Sequence, residues 1–253
     1  MIVEIMKLTP SHDQSLQESY YTQTAQDYDT MHNAESGEHA LALNYIFSLC
    51  QQYHFTTILD VGCGTGLALR SMLKKGFQAK GVEPIQALIN IGIDRHGLSP
   101  DQIFQGSAEK LPFDDNSLDV VCEFAVLHHV NNPKPAVDEM MRVAKHAIFL
   151  SDENRFGRGS LPWRLIKLAW WKLGVFSWGF WLMTKGKGYN YTEGDGVSYS
   201  YSVYDSFSQL EKWADVIFYI PLKKSSGPSW AHPLLSASHV LLCAIKHPRA
   251  TTI

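Results

Sequence analysis

The chain has 253 residues, a length that fits one complete α/β domain carrying an insertion. Hydrophobic residues make up 45% of it and charged residues 19%, a balance that excludes an intrinsically disordered chain. The formal net charge is −3, so the sequence lacks the strongly basic balance of a nucleic-acid-binding domain, and we expect no nucleic-acid partner.

Three features of the sequence bear on the compartment. Residues 1–7 have no basic start followed by a long apolar core, so no signal peptide is expected. The longest apolar run, residues 173–183, is too short to cross a bilayer. The cysteines at 50, 63, 122 and 243 form no C-x-x-C pair and are interpreted as buried thiols. Together these features predict a cytoplasmic protein.

The first part of the chain has a helical pattern. Residues 13–53 are interpreted as an N-terminal helical cap, in which Ala40, Leu43, Phe47 and Cys50 recur at steps of three and four residues. The whole of 1–253 is interpreted as one domain, with this cap at its start and an insertion over 155–204.

From residue 57 onward, short apolar runs alternate with helical segments. The expected strands are 57–61, 79–82, 103–104, 118–124, 147–150, 216–220 and 239–246, and the expected helices are 66–75, 84–96, 133–145 and 205–214. Alternation of this kind predicts βαβ crossovers. The last two strands are joined by a loop, so they should pair antiparallel. We therefore expect a doubly wound α/β fold with a seven-stranded, mostly parallel sheet and an antiparallel edge strand.

A glycine-rich turn follows the first expected strand, in the stretch Leu59-Asp60-Val61-Gly62-Cys63-Gly64-Thr65-Gly66. Glycine lets a ligand approach the main chain, and ligands of open α/β sheets bind at the carboxyl ends of strands. The spacing is G-x-G-x-G, whereas the dinucleotide fingerprint is G-x-G-x-x-G. A carboxylate at Asp60 would repel a pyrophosphate but suits a ligand with an α-amino group. Glu83 ends the next strand, where it can accept both ribose hydroxyls, although NAD enzymes share that acid.

Further blocks follow in order: Tyr21 to Asp29 upstream, and Gly106 to Asp114 and Ser117 to Val130 downstream. With the glycine turn and Glu83, they resemble the class I methyltransferases of the type 11 (UbiE-like) group. The resemblance covers roughly residues 20–152 and 205–246. It implies an enzyme that uses S-adenosyl-L-methionine.

The resemblance also implies which residues contact the cofactor. They are Tyr21, Tyr28, Asp60, Gly62, Gly64, Glu83, Pro84, Ile85, Ser107, Ala108, Glu109 and Phe124. Those of the glycine turn would hold the methionine portion, Glu83 the ribose, and the residues at 84–85 and 108 the adenine. Phe124 would lie near the sulfonium, with the two tyrosines closing the site from above.

The sequence departs from the family pattern at two places. Ser107 stands where an acidic residue is usual, which weakens the expected grip on the adenine amino group. Ala144-Lys145-His146 replaces the usual Pro-Gly-Gly turn before the fifth strand. Neither change touches the centre of methyl transfer.

Two adjacent histidines, His128 and His129, follow the fourth expected strand on the ligand side of the sheet. Histidine titrates near neutral pH and can take a proton from a hydroxyl or amine acceptor. His129 is the first candidate for the base, Glu123 is an alternative, and a packing or capping role is equally open for the histidines. No H-E-x-x-H pattern occurs, so no metal is expected.

The insertion at 155–204 contains a tryptophan-rich half and a tyrosine-rich half. On a helical projection the apolar face is Trp163, Ile166, Trp170, Leu173 and Phe180, with Arg164, Lys167 and Lys172 roughly opposite. We expect a buried lid helix over the acceptor pocket; a membrane-surface helix at 161–183 and a dimer contact are the alternatives. Tyrosine hydroxyls and Asp195 of the second half could bond a polar acceptor.

These observations favour an S-adenosylmethionine-dependent methyltransferase. Its expected acceptor is a small or medium-sized, partly apolar metabolite, methylated at oxygen: a natural product, a sugar or a lipid-linked compound. A non-catalytic cofactor-binding module that docks through the aromatic insertion is the alternative, with an NAD-dependent oxidoreductase third. The oligomeric state is left open.

Overall fold

The structure, a computed structural model, describes residues 12–31, 37–224 and 227–246. Residues 1–7, where no signal peptide is expected, lie outside these ranges, as do residues 32–36 of the expected helical cap. No helix among the described residues is long and apolar enough to cross a membrane.

The N-terminal segment is helical over its described residues. It forms α1 (His12–Thr24), a 3₁₀ turn (Ala25–Asp27), α2 (Tyr28–Met31) and α3 (Gly37–Tyr53). The buried side of α3 includes Leu43, Phe47 and Cys50, as its periodicity predicted.

A strand–helix alternation follows α3. Its elements are β1 (Thr57–Val61), α4 (Leu67–Lys74), β2 (Gln78–Glu83), α5 (Gln86–His96), β3 (Ile103–Gln105), β4 (Leu118–Phe124), α6 (Pro133–Val143) and β5 (Ala144–Glu153). The insertion then forms α7 (Leu161–Lys172), α8 (Phe176–Met183) and a hairpin of β6 (Asn190–Thr192) and β7 (Gly196–Ser198). The chain returns to the sheet through α9 (Phe207–Leu210), β8 (Val216–Lys224) and β9 (Ala237–Ile245).

The main sheet has seven strands in the order β3-β2-β1-β4-β5-β9-β8. Both β5 and β8 pair antiparallel with β9, so β9 runs against the other six strands and the edge strand β8 pairs antiparallel as predicted. The chain moves outward from β1 to β3 and then returns to β4 on the other side of β1. This reversal opens a crevice at the carboxyl ends of β1 and β4, where open α/β sheets bind ligands.

Two apolar cores cover the two faces of the sheet. Ile58 and Cys122 point into one core with α3 and α4, whereas Leu59 and Val121 point into the other with α6. Successive strand residues face opposite sides, so strands buried on both sides need continuous apolar sequence. That requirement explains why these strands could be located from the sequence.

The expectation of a buried apolar face on the insertion helix is wrong. The buried residues of α7 are Arg164 and Lys167. Of the expected apolar face, Ile166 and Leu173 are 41% and 74% exposed, and Trp163, Trp170 and Phe180 are only partly buried. Arg164 donates to the carbonyls of Gly159 and Leu235 at 2.7 and 2.8 Å, and Lys167 Nζ donates to the carbonyl of Arg158 at 2.8 Å. These carbonyls lie outside regular structure and need donors, so the cationic face of the helix packs inward.

Asn154, which is fully buried, ties the end of β5 to the last part of the chain. Its Oδ1 accepts from Phe156 N at 3.0 Å and Ser202 Oγ at 3.1 Å. Its Nδ2 donates to the carbonyls of Leu234 and Ala237 at 2.7 and 2.8 Å. The amide therefore joins three segments that are distant in sequence.

We expect Asn154→Ala to lower the free energy of unfolding by about 3 kcal/mol, because several bonds are lost and their buried partners are left unsatisfied. Urea denaturation of parent and variant measures the loss. Asn44→Ala, on the exposed side of α3, is the matched control and should change stability by less than about 0.5 kcal/mol. Equal effects of the two substitutions would contradict the role given to Asn154.

Candidate functional site

The turn after β1 is shaped by glycines with left-handed backbone angles. Gly62 and Gly64 have φ of 71° and 56°. A Cβ atom at Gly64 would lie 2.5 Å from the hydroxyl oxygen of Tyr28, and one at Gly62 would lie 2.5 Å from a methyl carbon of Val126. The glycines therefore serve both the turn and the close approach of neighbouring groups.

Two carboxyl groups lie buried beside this turn. Glu83 accepts backbone N–H bonds from Ile85 at 3.0 Å and Gly64 at 2.9 Å, and Asp60 Oδ2 has no hydrogen-bond partner among the described residues. Burial raises the pKa of Asp60 to about 8, with a further contribution from the charge of Glu83. Burial also raises the pKa of Glu83 to about 7, although its backbone bonds act in the opposite direction. Such a pair would be stabilised by a cationic, hydroxyl-bearing ligand.

The carboxyl groups face two adjoining cavities. The larger, of about 320 Å³, is lined by Tyr21, Tyr28, Gly62, Glu83, Pro84, Ile85, Ser107, Ala108, Glu109, Phe124 and His129, among others. The smaller, of about 80 Å³, includes Asp60 and Asp195 in its lining. Tyr21, Tyr28, Gly62, Phe124, Ala125 and His129 line both.

Some of the residues singled out in the sequence lie outside the lining of both cavities. Gly64 contributes its backbone N–H to Glu83 instead. Glu123, the alternative base, is fully buried in the sheet with Oε2 accepting from Val126 N at 2.9 Å. His128 is likewise buried, behind His129.

His128 is held between two aspartates. Its Nδ1 lies 2.7 Å from Asp152 Oδ1, and its Nε2 lies 3.5 Å from Asp195 Oδ2. Burial acts to lower the pKa of His128, but the charges and hydrogen bonds of Asp152 and Asp195 outweigh it and raise this pKa well above its usual value. Through these two contacts the ring joins the loop after β4 to β5 and the hairpin.

His129 has a different environment from His128. Its Nδ1 donates to the carbonyl oxygen of Val197 at 2.6 Å, and its Nε2 lies 3.1 Å from the hydroxyl of Tyr21 and 3.4 Å from Asp195 Oδ1. A carbonyl can only accept, so a ring proton is assigned to Nδ1, and in the neutral ring the lone pair is on Nε2. His129 therefore presents a basic nitrogen to both cavities.

The tyrosine-rich hairpin is the part of the insertion that reaches the cavities. Val197 and Tyr199 line the larger cavity and Asp195 the smaller one, whereas no described residue of α7 or α8 lines either. The hairpin is held by α1, where Gln17 Oε1 accepts from Val197 N at 2.5 Å.

Sequence reasoning missed Asp152 and Val197, which orient the two histidines. Asp152 lies near the carboxyl end of β5, and β5 pairs in parallel with β4, so the strand-end rule would have found it. Val197 contributes a backbone carbonyl, which no residue type signals.

His128, His129 and Asp195 each offer a ligand atom, all within 4.8 Å of one another, and they form the one such group among the described residues that could hold a metal ion. Asp195 lies 66 positions after His129 in the sequence, so a local motif could not have revealed the group. Asp152 Oδ1 lies 2.7 Å from Nδ1 of His128, so Nε2 is the ring atom that faces Asp195.

The pKa of Asp60 makes the stability of the ligand-free protein depend on pH. A carboxyl group whose pKa rises from 3.8 to about 8 on folding is ionised more readily in the unfolded chain. The free energy of unfolding should therefore fall as pH rises from about 4 to about 8.

We expect Asp60→Asn to match the parent near pH 4 and to be the more stable protein at pH 8, by about 1 kcal/mol or more, or about 2–4 °C in Tm. Thermal unfolding across this pH range measures the divergence. Asp114→Asn, at an exposed aspartate, is the control. A constant difference between Asp60→Asn and the parent at every pH would refute the linkage.

Comparison with known proteins agrees with this geometry. Residues 59–149 match the family described as methyltransferase domain. An uncharacterised methyltransferase of Mycobacterium tuberculosis is 33% identical over 88 residues, 35% of each chain. Demethylmenaquinone methyltransferase of Staphylococcus epidermidis is 32% identical over 126 residues, 48% of this chain and 52% of that protein. Ubiquinone biosynthesis O-methyltransferase of Maricaulis maris is 32% identical over 91 residues, 35% and 36%. The matches thus span about a third to a half of these relatives.

Solved structures share the fold over most of the chain. An S-adenosylmethionine-dependent methyltransferase of Thermotoga maritima superposes with a TM-score of 0.56 at 15% identity, covering 90% of this chain and 99% of that one. A Haemonchus contortus phosphoethanolamine N-methyltransferase superposes with a TM-score of 0.60 at 13% identity, covering 95% and 61%. The matched family model over residues 59–149, the strand order and the glycine turn together agree with the expected resemblance to the class I S-adenosyl-L-methionine-dependent methyltransferases of the type 11 (UbiE-like) group.

Proposed function

We propose that the protein transfers a methyl group from S-adenosyl-L-methionine to a hydroxyl oxygen of a small or medium-sized, partly apolar acceptor: a natural product, a sugar or a lipid-linked compound. The observation that carries the proposal is the orientation of His129. Its Nδ1 is fixed on the carbonyl of Val197, and its Nε2 faces Tyr21 at the wall shared by the two cavities. A hydroxyl acceptor must lose a proton during methyl transfer, and this nitrogen can receive it.

The residues around the cavities fit the cofactor. The unpartnered oxygen of Asp60 suits the α-amino group of the methionine portion, and Glu83 keeps lone pairs for the ribose hydroxyls. When bound, S-adenosylmethionine supplies an electrophilic methyl group on a positively charged sulfur. Phe124 lines both cavities, so its ring is available to lie beside that sulfur.

The adenine would lie against an apolar wall. Ile85 and Leu88 belong to one small buried cluster, and both line the larger cavity together with Pro84 and Ala108. Ser107 and Glu109 line the same cavity and offer side-chain oxygens to the adenine amino group. Ser107 carries no charge, so we expect this contact to be weaker than a carboxylate would make it.

The acceptor would enter beside α1 and the tyrosine-rich hairpin. Gln17, Val130 and Tyr199 line the larger cavity on this side, giving a wall that is partly polar and partly apolar. The names of the quinone-pathway relatives fit an acceptor with an apolar ring and a hydroxyl group. The four cysteines are buried free thiols, and we place the reaction in the cytoplasm.

Calorimetry tests the cofactor site. S-adenosylhomocysteine should bind the parent, and Asp60→Ala or Glu83→Ala should each weaken binding about tenfold or more, because a charged hydrogen-bond partner worth roughly 1.5–3 kcal/mol is removed. Asp114→Ala, at an exposed position, should leave the affinity unchanged. NAD should give no heat of binding. Unchanged affinity in both site variants would mean that the cofactor binds elsewhere.

A second measurement separates a methyltransferase from a non-catalytic binding module. With a panel of prenylated catechols and quinols as probes, the parent should release S-adenosylhomocysteine, and His129→Gln should lower kcat by about 10²-fold. Affinity for S-adenosylhomocysteine should stay within about threefold, because glutamine retains hydrogen-bonding groups. Tight cofactor binding by the parent without turnover of any probe would support the binding module instead.

The pH profile distinguishes a base from a packing residue. If His129 accepts the proton, kcat of the parent should rise with pH through the titration of one group, and that limb should disappear in His129→Gln. A variant with lower kcat but the same pH profile would contradict the assignment.

A further inference from the structure

The helical half of the insertion carries an exposed apolar surface, which we call the α7–α8 surface. Its members are Leu161, Leu165, Ile166, Leu173, Val175, Trp178, Trp181, Leu182 and Met183, each between 40% and 74% exposed. Most of the large apolar side chains that are strongly exposed in the described residues lie on this one segment. Exposed apolar side chains concentrated on one segment in this way mark a binding face.

The orientation of α7 is fixed by hydrogen bonds on its inner side. Arg164 and Lys167 point inward to backbone carbonyls of residues 155–159 and 235. Helices α7 and α8 also pack closely, since a Cβ atom at Gly179 would lie 2.7 Å from the ring of Trp170. Rotating α7 so that its apolar side chains pointed inward would break these hydrogen bonds. The α7–α8 surface therefore remains exposed.

The charge of the segment is as distinctive as its exposure. Residues 154–192 contain no Asp or Glu, and their basic residues are Arg155, Arg158, Arg164, Lys167, Lys172, Lys185 and Lys187. The whole chain, by contrast, has a formal net charge of −3. Lys172, Lys185 and Lys187 are exposed, at the ends of the two helices that carry the apolar side chains.

We propose that the α7–α8 surface docks on an anionic lipid surface. Tryptophan, leucine and methionine side chains would enter the boundary between headgroups and acyl chains, while the lysines contact anionic headgroups. Trp178 and Trp181 suit this position because the indole ring is apolar and its N–H still finds a partner in the polar layer.

The charge pattern disfavours a second copy of the chain as the occupant. A two-fold contact places the same surface on both sides, so the lysines around the apolar residues would face one another. Opposed like charges destabilise such a contact, whereas an anionic membrane neutralises them.

Docking would also bring the cavities to the source of an apolar acceptor, an extension that rests on the proposed function. Helix α8 ends at Met183, and the hairpin that lines the cavities begins at Asn190. A short connection therefore links the docking surface to Asp195, Val197 and Tyr199. The proposed acceptor is accordingly a compound that is dissolved in the bilayer.

Vesicle co-sedimentation tests the docking. The parent should sediment with phosphatidylglycerol vesicles, less with phosphatidylcholine vesicles, and less as salt is added. Trp178→Glu combined with Trp181→Glu should reduce partitioning by about tenfold or more, because charge replaces the aromatic anchors. Tyr45→Glu, at an exposed aromatic residue of α3, is the matched control and should sediment like the parent.

A second variant and two solution measurements keep the test decisive. Lys185→Glu with Lys187→Glu should weaken binding to phosphatidylglycerol vesicles and leave binding to phosphatidylcholine vesicles unchanged. Affinity for S-adenosylhomocysteine, measured without vesicles, shows that each variant is folded and is independent of docking. The proposal would be overturned if the parent did not sediment with vesicles, or if the tryptophan variant sedimented as much as the parent. It would also be overturned if the parent formed a dimer without lipid and the tryptophan variant did not. If any of these results were obtained while cofactor binding and turnover were unchanged, only the docking proposal would fail, and the proposed function would not be affected.

Discussion

Two carboxyl groups, those of Asp60 and Glu83, are buried side by side where β1 and β2 end. The sheet reverses its order at β1, so the carboxyl ends of β1 and β4 open into a crevice rather than into a helix. Glu83 uses its oxygens to hold the N–H groups of Gly64 and Ile85, which fixes the glycine turn, while Asp60 keeps an oxygen without a partner. The fold thus maintains a buried acid that is costly without a cationic ligand and well suited to one.

The proposed chemistry depends on distant parts of the chain meeting over this crevice. Tyr21 comes from the N-terminal cap, His129 from the loop after β4, and Val197 from the insertion. The cap and the hairpin touch through Gln17 and Val197, so the proposed base, His129, is oriented by the same elements that line the cavities.

The two halves of the insertion have different surroundings. Its β6–β7 hairpin lines the cavities, and its helices leave many of their apolar side chains exposed. Buried Arg164 and Lys167 are the reason for this reversal, because their donors satisfy carbonyls that regular structure does not. A long cationic side chain serves as a structural donor here, and the hydrophobic face becomes available to a partner.

The sequence alone determined the sheet and the glycine turn. The centres of strands, such as residues 120–122 of β4, are buried on both faces and must be apolar, and a left-handed turn beside Tyr28 requires glycine. Both constraints can be recognised from local residue types. Only the tertiary structure decided the roles of Asp152 and Val197 and the outward orientation of α7. Each of these depends on which carbonyl or carboxylate another segment brings within hydrogen-bond distance. Periodicity describes one helix at a time and carries no information about the partners that its polar side chains will meet.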